Sequence, residues 1–291
     1  YKGWKNCVEI SNGVVDLIAL TDVGPRIIRY GFAGKDNEFF ENPEHSGKTG
    51  GDEFRIYGGH RLWHSPEHPV RSYVPDNGKV SWRKKKYGIV LTQETEPWTH
   101  IKKEIEISLT PDSARVTVLH RLTNEGAWDV ELSIWSLSML APGGLEFMPI
   151  NTTDTGLLPN GAIGIWPYTK LNDKRVNWGE RYITIKQDKK AATPFKIGLV
   201  NEAGWAAYLN NGHLFVKQYE HEGDMEYPDY NCSYETYTND SFVEMESLSP
   251  VILLGSGETA EHIETWSLYE NVKKPENEKE IGSGIASLIG R

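Results

Sequence analysis

Apolar and polar positions alternate with a period of two along much of this chain. The clearest case is Ile101 to Leu109. Ile101, Ile105, Ile107 and Leu109 fall on one face, and Lys102, Glu104, Glu106 and Ser108 on the other. Such alternation predicts a strand with one buried face. A second strand is predicted after the Pro111-Asp112-Ser113 turn. Val116, Val118 and Leu122 share its phase with His120, which reads as a buried core group rather than a ligand. Residues 128–140 are apolar on both faces, as a central strand would be. Shorter strands are predicted near 14–18, 26–30, 163–166, 182–185, 196–200, 205–209, 214–219, 233–237, 241–247, 251–254 and 262–269. Asn-Gly pairs beginning at Asn12, Asn77, Asn160 and Asn211 are expected to supply the positive φ angles of tight hairpins. Roughly fifteen to eighteen strands, no long helix and no fixed-period repeat predict an all-β protein, one large antiparallel sandwich rather than a propeller or parallel α/β sheet. Residues 1–270 read as a single domain. Within the tail 271–291, Ile281, Ile285, Leu288 and Ile289 stand at helical spacing and predict a short helix.

One stretch departs from the alternation. Residues 57–76 open with Gly58-Gly59 and contain Pro66, Pro69 and Pro75, which predicts a shaped loop. It carries His60, Arg61, Trp63, His64, Arg71 and Tyr73, and loops held on a rigid scaffold are where functional groups concentrate. His60, His64 and His68 are spaced four apart, but Pro66 and Pro69 rule out the helix that would align them. No carboxylate completes a recognisable metal pattern, so neither a metal nor another cofactor is expected.

Composition narrows the partners. A net charge of −10 over 291 residues argues against nucleic acid. The one basic run, Arg83-Lys84-Lys85-Lys86, reads as a solvated hairpin tip. No apolar run reaches membrane-spanning length, so no membrane partner is expected, and a cytoplasmic location is the default expectation. Cys7 and Cys232 are too few for a disulfide framework.

A set of segments, taken in order, resembles a known family. Residues Thr21-Asp22-Val23-Gly24-Pro25-Arg26-Ile27-Ile28-Arg29-Tyr30, followed by Gly34-Lys35-Asp36, resemble the N-terminal signature of the aldose 1-epimerase (galactose mutarotase)-like superfamily. Tyr57-Gly58-Gly59 resembles its Gly-Gly loop. Arg121-Leu122-Thr123-Asn124 resembles the strand end ahead of its central strand. Leu253-Leu254-Gly255-Ser256-Gly257-Glu258 with 262–268 resembles its closing turn and last strand. The likeness spans residues 8–270 and is closest to an uncharacterised branch marked by Gly58-Gly59-His60-Arg61-Leu62-Trp63.

The resemblance implies a supersandwich, two large antiparallel sheets with an open sugar cleft on a curved face. It implies aldose 1-epimerase chemistry, in which a carboxylate takes the anomeric proton and an acid, usually His, protonates the ring oxygen. The family's base is a Glu on a late strand. Glu244 and Glu246 share one face there, with Glu235 nearby, and position favours Glu246 as the base. Family members with known activity place a His on the central strand, where this chain reads Ile134-Trp135-Ser136-Leu137-Ser138-Met139. His60 or His64 is therefore expected to supply the acid. The expected binding set is Arg61, Trp63, Arg71, Tyr73, Asn124, Trp135, Lys217, Tyr219, Tyr230 and Glu244, with Trp166 and Tyr227 beside it, and the mixed charged and aromatic runs 217–221 and 227–230 are expected to form a second cleft wall. Arginines would meet a carboxylate or sulfate, and aromatic rings would stack on sugar faces. Trp128 and Trp205 read as core filling. The expected ligand is a sugar or uronate, and oligomeric state is left open. Two other readings fit the same residues: a non-catalytic carbohydrate-binding module, and a lyase or hydrolase acting on acidic glycans.

Overall fold

The alternating segment Ile101–Leu109 is a strand, and its Ile and Leu positions are buried as the pattern requires. Lys103 shares that inward phase and is held by Glu96 at 2.5 Å. In the computed structural model, which describes residues 1–290, twenty strands follow in chain order. They are β1 (Cys7–Ser11), β2 (Val15–Leu20), β3 (Arg26–Phe32), β4 (His60–Ser65), β5 (Ser81–Lys85), β6 (Gly88–Thr92), β7 (Ile101–Leu109), β8 (Arg115–Asn124), β9 (Val130–Leu140) and β10 (Leu145–Pro149). Then come β11 (Ile163–Ile165), β12 (Val176–Trp178), β13 (Tyr182–Lys186), β14 (Phe195–Leu199), β15 (Trp205–Asn210), β16 (His213–Tyr219), β17 (Tyr234–Thr238), β18 (Val243–Leu248), β19 (Ile252–Leu254) and β20 (Thr259–Tyr269).

They form two antiparallel sheets. The first runs β1-β2-β3-β4-β9-β18-β17-β14-β11, with β19 on the free end of β9. The second runs β12-β13-β10-β15-β16-β20-β8-β7-β6-β5. The 128–140 prediction is met by β9, which is buried on both faces between β4 and β18. The basic run lies on β5, a fully exposed edge strand, where charge discourages pairing with another chain. Asn211 and Gly212 both take positive φ (51° and 79°) and close the two-residue hairpin between β15 and β16. Asn77 does not turn a hairpin. Its amide binds the carbonyls of Gly51 and Glu53 and accepts the Tyr57 hydroxyl.

Between the sheets lies an aliphatic and aromatic core that includes Leu17, Leu62, Ile134 and Met245 from the first sheet and Ile107, Val118, Phe215 and Trp266 from the second. Burying each such aliphatic side chain stabilises by about 1.5–3 kcal/mol. This core also encloses polar groups. Glu264 accepts from Ser136 (2.5 Å), Ser247 (2.7 Å) and the Trp266 indole (2.7 Å) and pairs with Lys217 at 2.8 Å. Burial alone would raise its pKa, but the Lys217 charge outweighs it and holds the carboxyl well below the usual range. His120 Nδ1 faces the His262 carbonyl at 3.0 Å and so must donate to it. Its neutral Nε2 then accepts from His60 Nε2 at 2.7 Å, which leaves His60 Nδ1 to accept the Ser138 hydroxyl at 2.8 Å. A buried polar cluster is tolerable when its members are satisfied in this way.

Two further expectations are corrected. Residues 57–76 are not one loop: 60–65 form β4, a wholly buried strand, and only the Pro-bearing remainder is irregular. Trp128 is not core filling, being 85% exposed, although Trp205 is buried as expected. The tail packs on the second sheet. Helical turns over 278–289 bury Ile281 and Ile285 against Tyr182 and Trp205, and Glu278 accepts the backbone N–H groups of Arg181 and Tyr182. Arg291, the end of the predicted tail, lies outside the described residues.

Glu146 on β10 is fully buried and accepts hydroxyls from Tyr234 (2.6 Å) and Thr236 (2.7 Å) across the core. Burial pushes its pKa up to about 8, with those two bonds pulling the other way. The unfolded carboxyl ionises near 4.5. Its favourable contribution is therefore complete below that value and lost as pH rises through about 8. Glu146→Gln should gain on wild type between about pH 5 and 8, by up to ~1.4 kcal/mol per pH unit in urea unfolding. A pH-independent difference would contradict this.

Candidate functional site

Adjacent residues of a strand point to opposite faces, so the first sheet has an interior face and an outer one. On the outer face, β14 presents Lys196, β17 Glu235, β18 Glu244 and Glu246, β9 Trp135, and β4 Arg61 and Trp63. Register brings them together, with Glu235 opposite Glu246 and Trp63 opposite Trp135. Lys196 is the hub. Its Nζ lies 2.7 Å from Glu235 Oε2 and 3.0 Å from Glu246 Oε2, between the rings of Trp135 (4.6 Å) and Trp166 (4.7 Å). Burial works against its charge, but the two carboxylates outweigh burial and hold its pKa well above the usual lysine value. The Trp135 indole donates to Glu246 at 2.9 Å.

Glu235 stands differently from Glu246. Its Oε1 has no partner, and burial raises its pKa well above the ordinary value, only partly offset by Lys196. On the other side of Glu246, Arg61 Nη2 binds Glu244 at 2.9 Å while the guanidinium lies 4.0 Å over the Trp63 ring. Arg61 Nε and Nη1 are buried without partners. Burial pushes Glu244 up to about 7 against the pull of Arg61.

These groups line a cleft in two connected parts. An inner pocket of about 180 Å³ is bounded by Arg61, Tyr168, Lys196, Glu244 and Glu246. An outer chamber of about 680 Å³ is bounded by Pro66, Pro69, Trp166, Asp229 and Glu235. Trp135, Glu67 and Tyr73 line both. One lip is the loop after β4, where the Tyr73 hydroxyl donates to Glu67 (2.5 Å) and Arg71 to the Pro66 carbonyl (2.5 Å). The other lip is the turn 228–231, where Asp229, Tyr230 and Asn231 take φ of 52°, 64° and 72° in succession. Left-handed non-glycine residues cost ~1–3 kcal/mol each and persist only where surroundings fix them. Here the Cys232 thiol donates to the Asp229 carbonyl (2.9 Å), and Asn231 accepts the Tyr227 N–H (2.7 Å). Gly198 leaves the space that Cys232 fills, since a Cβ there would sit 2.6 Å from its sulfur.

Of the residues singled out in the sequence, Arg61, Trp63, Tyr73, Trp135, Glu244 and Glu246 converge on this cleft, and Arg71 and Tyr230 belong to its two lips. The others do not join them. His60 and His64 share the inward phase of β4 with Leu62, on the opposite side of the sheet from Glu246, and are 0% and 2% exposed. Burial drives His64 down to about 3, helped by Lys103 and Arg71. Lys217 is in the core with Glu264, and Tyr219 stacks on Tyr234 inside the sandwich. Asn124 ties the backbone carbonyls of Trp128 and Leu254. No histidine lines the cleft among the described residues. His60, His120 and Glu264 bring ligand atoms within 4.8 Å of one another, but the hydrogen bonds above already engage them, so the cluster reads as packing. Lys196 and Tyr168 were missed, and Asp229 was read only as part of the 227–230 run. Lys196 had one signal, a lone charge inside the apolar strand Phe195–Leu199.

No family model matches the chain, and no curated protein matches it. Solved structures share its fold. A galactose mutarotase-like protein from Lactobacillus casei ATCC 334 superposes with a TM-score of 0.62 at 9% identity, over 91% of this chain and 100% of that one. A candidate aldose 1-epimerase from Escherichia coli K12 gives 0.58 at 13% identity, over 91% and 99%. A galactose mutarotase related enzyme from Lactobacillus acidophilus gives 0.55 at 10%, over 94% and 100%. The fold is thus the mutarotase-like supersandwich that the sequence resemblance implied.

Lys196→Met would leave Glu246 buried without its counter-charge and Glu235 without its donor. It should destabilise by about 3–5 kcal/mol near neutral pH. The loss should shrink toward about pH 5 as the carboxyls protonate in the folded state. Denaturant unfolding at both pH values checks this, and an unchanged stability contradicts it.

Proposed function

We propose that the chain is a carbohydrate-active protein whose cleft binds a sugar and interconverts its anomers by general acid–base catalysis. The observation that carries this reading is the Glu235–Lys196–Glu246 constellation between Trp135 and Trp166. Aromatic faces beside hydrogen-bonding charges suit a pyranose. The shared fold supports a carbohydrate ligand without fixing a reaction.

The chemistry needs a base at the anomeric hydroxyl and an acid at the ring oxygen. Both oxygens hang on the same carbon, so two neighbouring carboxyl groups can serve them. Glu246 takes the hydroxyl proton as the bond from the anomeric carbon to the ring oxygen breaks. The ring oxygen takes a proton from Glu235, which burial keeps protonated. The aldehyde rotates, and the reverse transfers reclose the ring. Assigning the acid to Glu235 replaces the role expected of His60 or His64, which lie inside the sandwich. Paired titratable groups with unlike environments are the usual arrangement for such a division. Arg61, with Nε and Nη1 free, and Trp63 would orient the ring.

A second reading, a binding module without catalysis, is favoured by one observation: the cleft lining lacks the histidine that known epimerases of this fold use. The two separate in an anomer-exchange assay. Glu246→Gln and Glu235→Gln should each lower catalysed exchange at least ~100-fold while calorimetric sugar binding survives. Wild-type activity should fall on the alkaline side, as Glu235 loses its proton. Variants as fast as wild type would overturn the catalytic assignment. Binding by wild type with no acceleration would establish the module instead.

A further inference from the structure

We infer that the cleft takes the reducing end of a neutral oligosaccharide, with the second sugar unit in the outer chamber. This rests on the reading that the cleft binds sugar. The inner pocket, at about 180 Å³, is smaller than the roughly 300–1,000 Å³ common for small-molecule sites. The outer chamber, at about 680 Å³, opens directly from it past Trp135 and Tyr73. A ligand confined to the inner pocket would leave that chamber and the Trp166 face that lines it unoccupied.

The lining of the chamber selects the chemistry of what enters. Its charged residues are Glu67 and Asp229, beside the protonated Glu235, and no cation lines it among the described residues. Carboxylates accept from sugar hydroxyls and repel a carboxylate or sulfate, so the second unit is uncharged. The cations of the cleft, Arg61 and Lys196, sit in the inner pocket. Asp229 is also built into place rather than left on a loose loop. It belongs to the left-handed turn that Cys232 and Asn231 clamp. Asp229 is thereby a specificity residue for the second unit, distinct from the Glu235 and Glu246 pair.

Calorimetry on the intact chain tests this with glucose, galactose and xylose against maltose, cellobiose, lactose and cellobiouronate. A neutral disaccharide should bind at least roughly tenfold tighter than its reducing-end monosaccharide, about the gain from one aromatic stack and one charged hydrogen bond. Cellobiouronate, with the charge on its second unit, should bind more weakly than cellobiose. Asp229→Asn retains a residue that tolerates the left-handed turn. It should weaken cellobiose, strengthen cellobiouronate relative to it, and leave glucose within roughly twofold of wild type. Equal affinity for monosaccharides and disaccharides overturns the inference while the sugar reading stands. So does an unchanged preference between cellobiose and cellobiouronate in the variant. Binding of none of the sugars overturns both.

Discussion

The alternation of side chains along a strand is the constraint on which this molecule turns. Each strand of the first sheet sends one set of residues into the sandwich and the other into the cleft, so neighbours in sequence serve different purposes. In β4, His60, Leu62 and His64 go inward while Arg61 and Trp63 go outward. In β18, Val243, Met245 and Ser247 build the interior, and Glu244 and Glu246 line the cleft. A shift of one residue in either strand would exchange the two sets. The buried aliphatic core makes such a shift prohibitive, and it therefore also fixes the cleft.

Both faces bury charge, and they manage it differently. Inside, Lys217 and Glu264 form a close pair engaged by hydroxyls, an indole and neutral histidines, although His64 and the Tyr219 hydroxyl elsewhere in the interior keep unpartnered atoms. Outside, Lys196 is shared between two carboxylates, Glu235 keeps a free oxygen, and Arg61 keeps two free nitrogens. Unsatisfied buried groups are costly, and in native structures they call for an explanation. A bound sugar, rich in hydroxyls that both donate and accept, would satisfy these. The saturated cluster is thus suited to holding the sheets together, and the unsaturated one to binding.

Much of the fold was legible in the sequence. Period-two patterning gave most of the strands, the central position of β9 and the absence of long helices, because burial of one face leaves a direct trace in residue type. The site was legible in part. Glu246, Glu244, Arg61, Trp63, Tyr73 and Trp135 were picked out by residue type and by likeness to known segments. The histidines misled because phase had been ignored in 57–76, where the prolines suggested a loop throughout. Had 60–65 been read as a strand, Leu62 would have marked the inward phase and taken His60 and His64 with it. Asp229 was legible only through the mixed charge and aromatics of 227–230, since nothing in Pro228-Asp229-Tyr230-Asn231 announces three left-handed residues clamped from the side by a cysteine. Trp128 shows the reverse error, a large apolar residue assigned to the core by type although it sits exposed after the turn that Asn124 organises.

The central claim is that ligand engages the outer face of the first sheet, where Trp135 donates to Glu246, and not the interior where the histidines lie. The indole N–H signals of the tryptophans report on both sides at once. In a sugar titration followed by nitrogen–proton correlation spectra, the Trp135 signal should move most, with Trp166 responding beside it. Trp266, which donates to Glu264 inside the sandwich, should stay fixed. Movement of Trp266 with Trp135 unchanged would contradict the account.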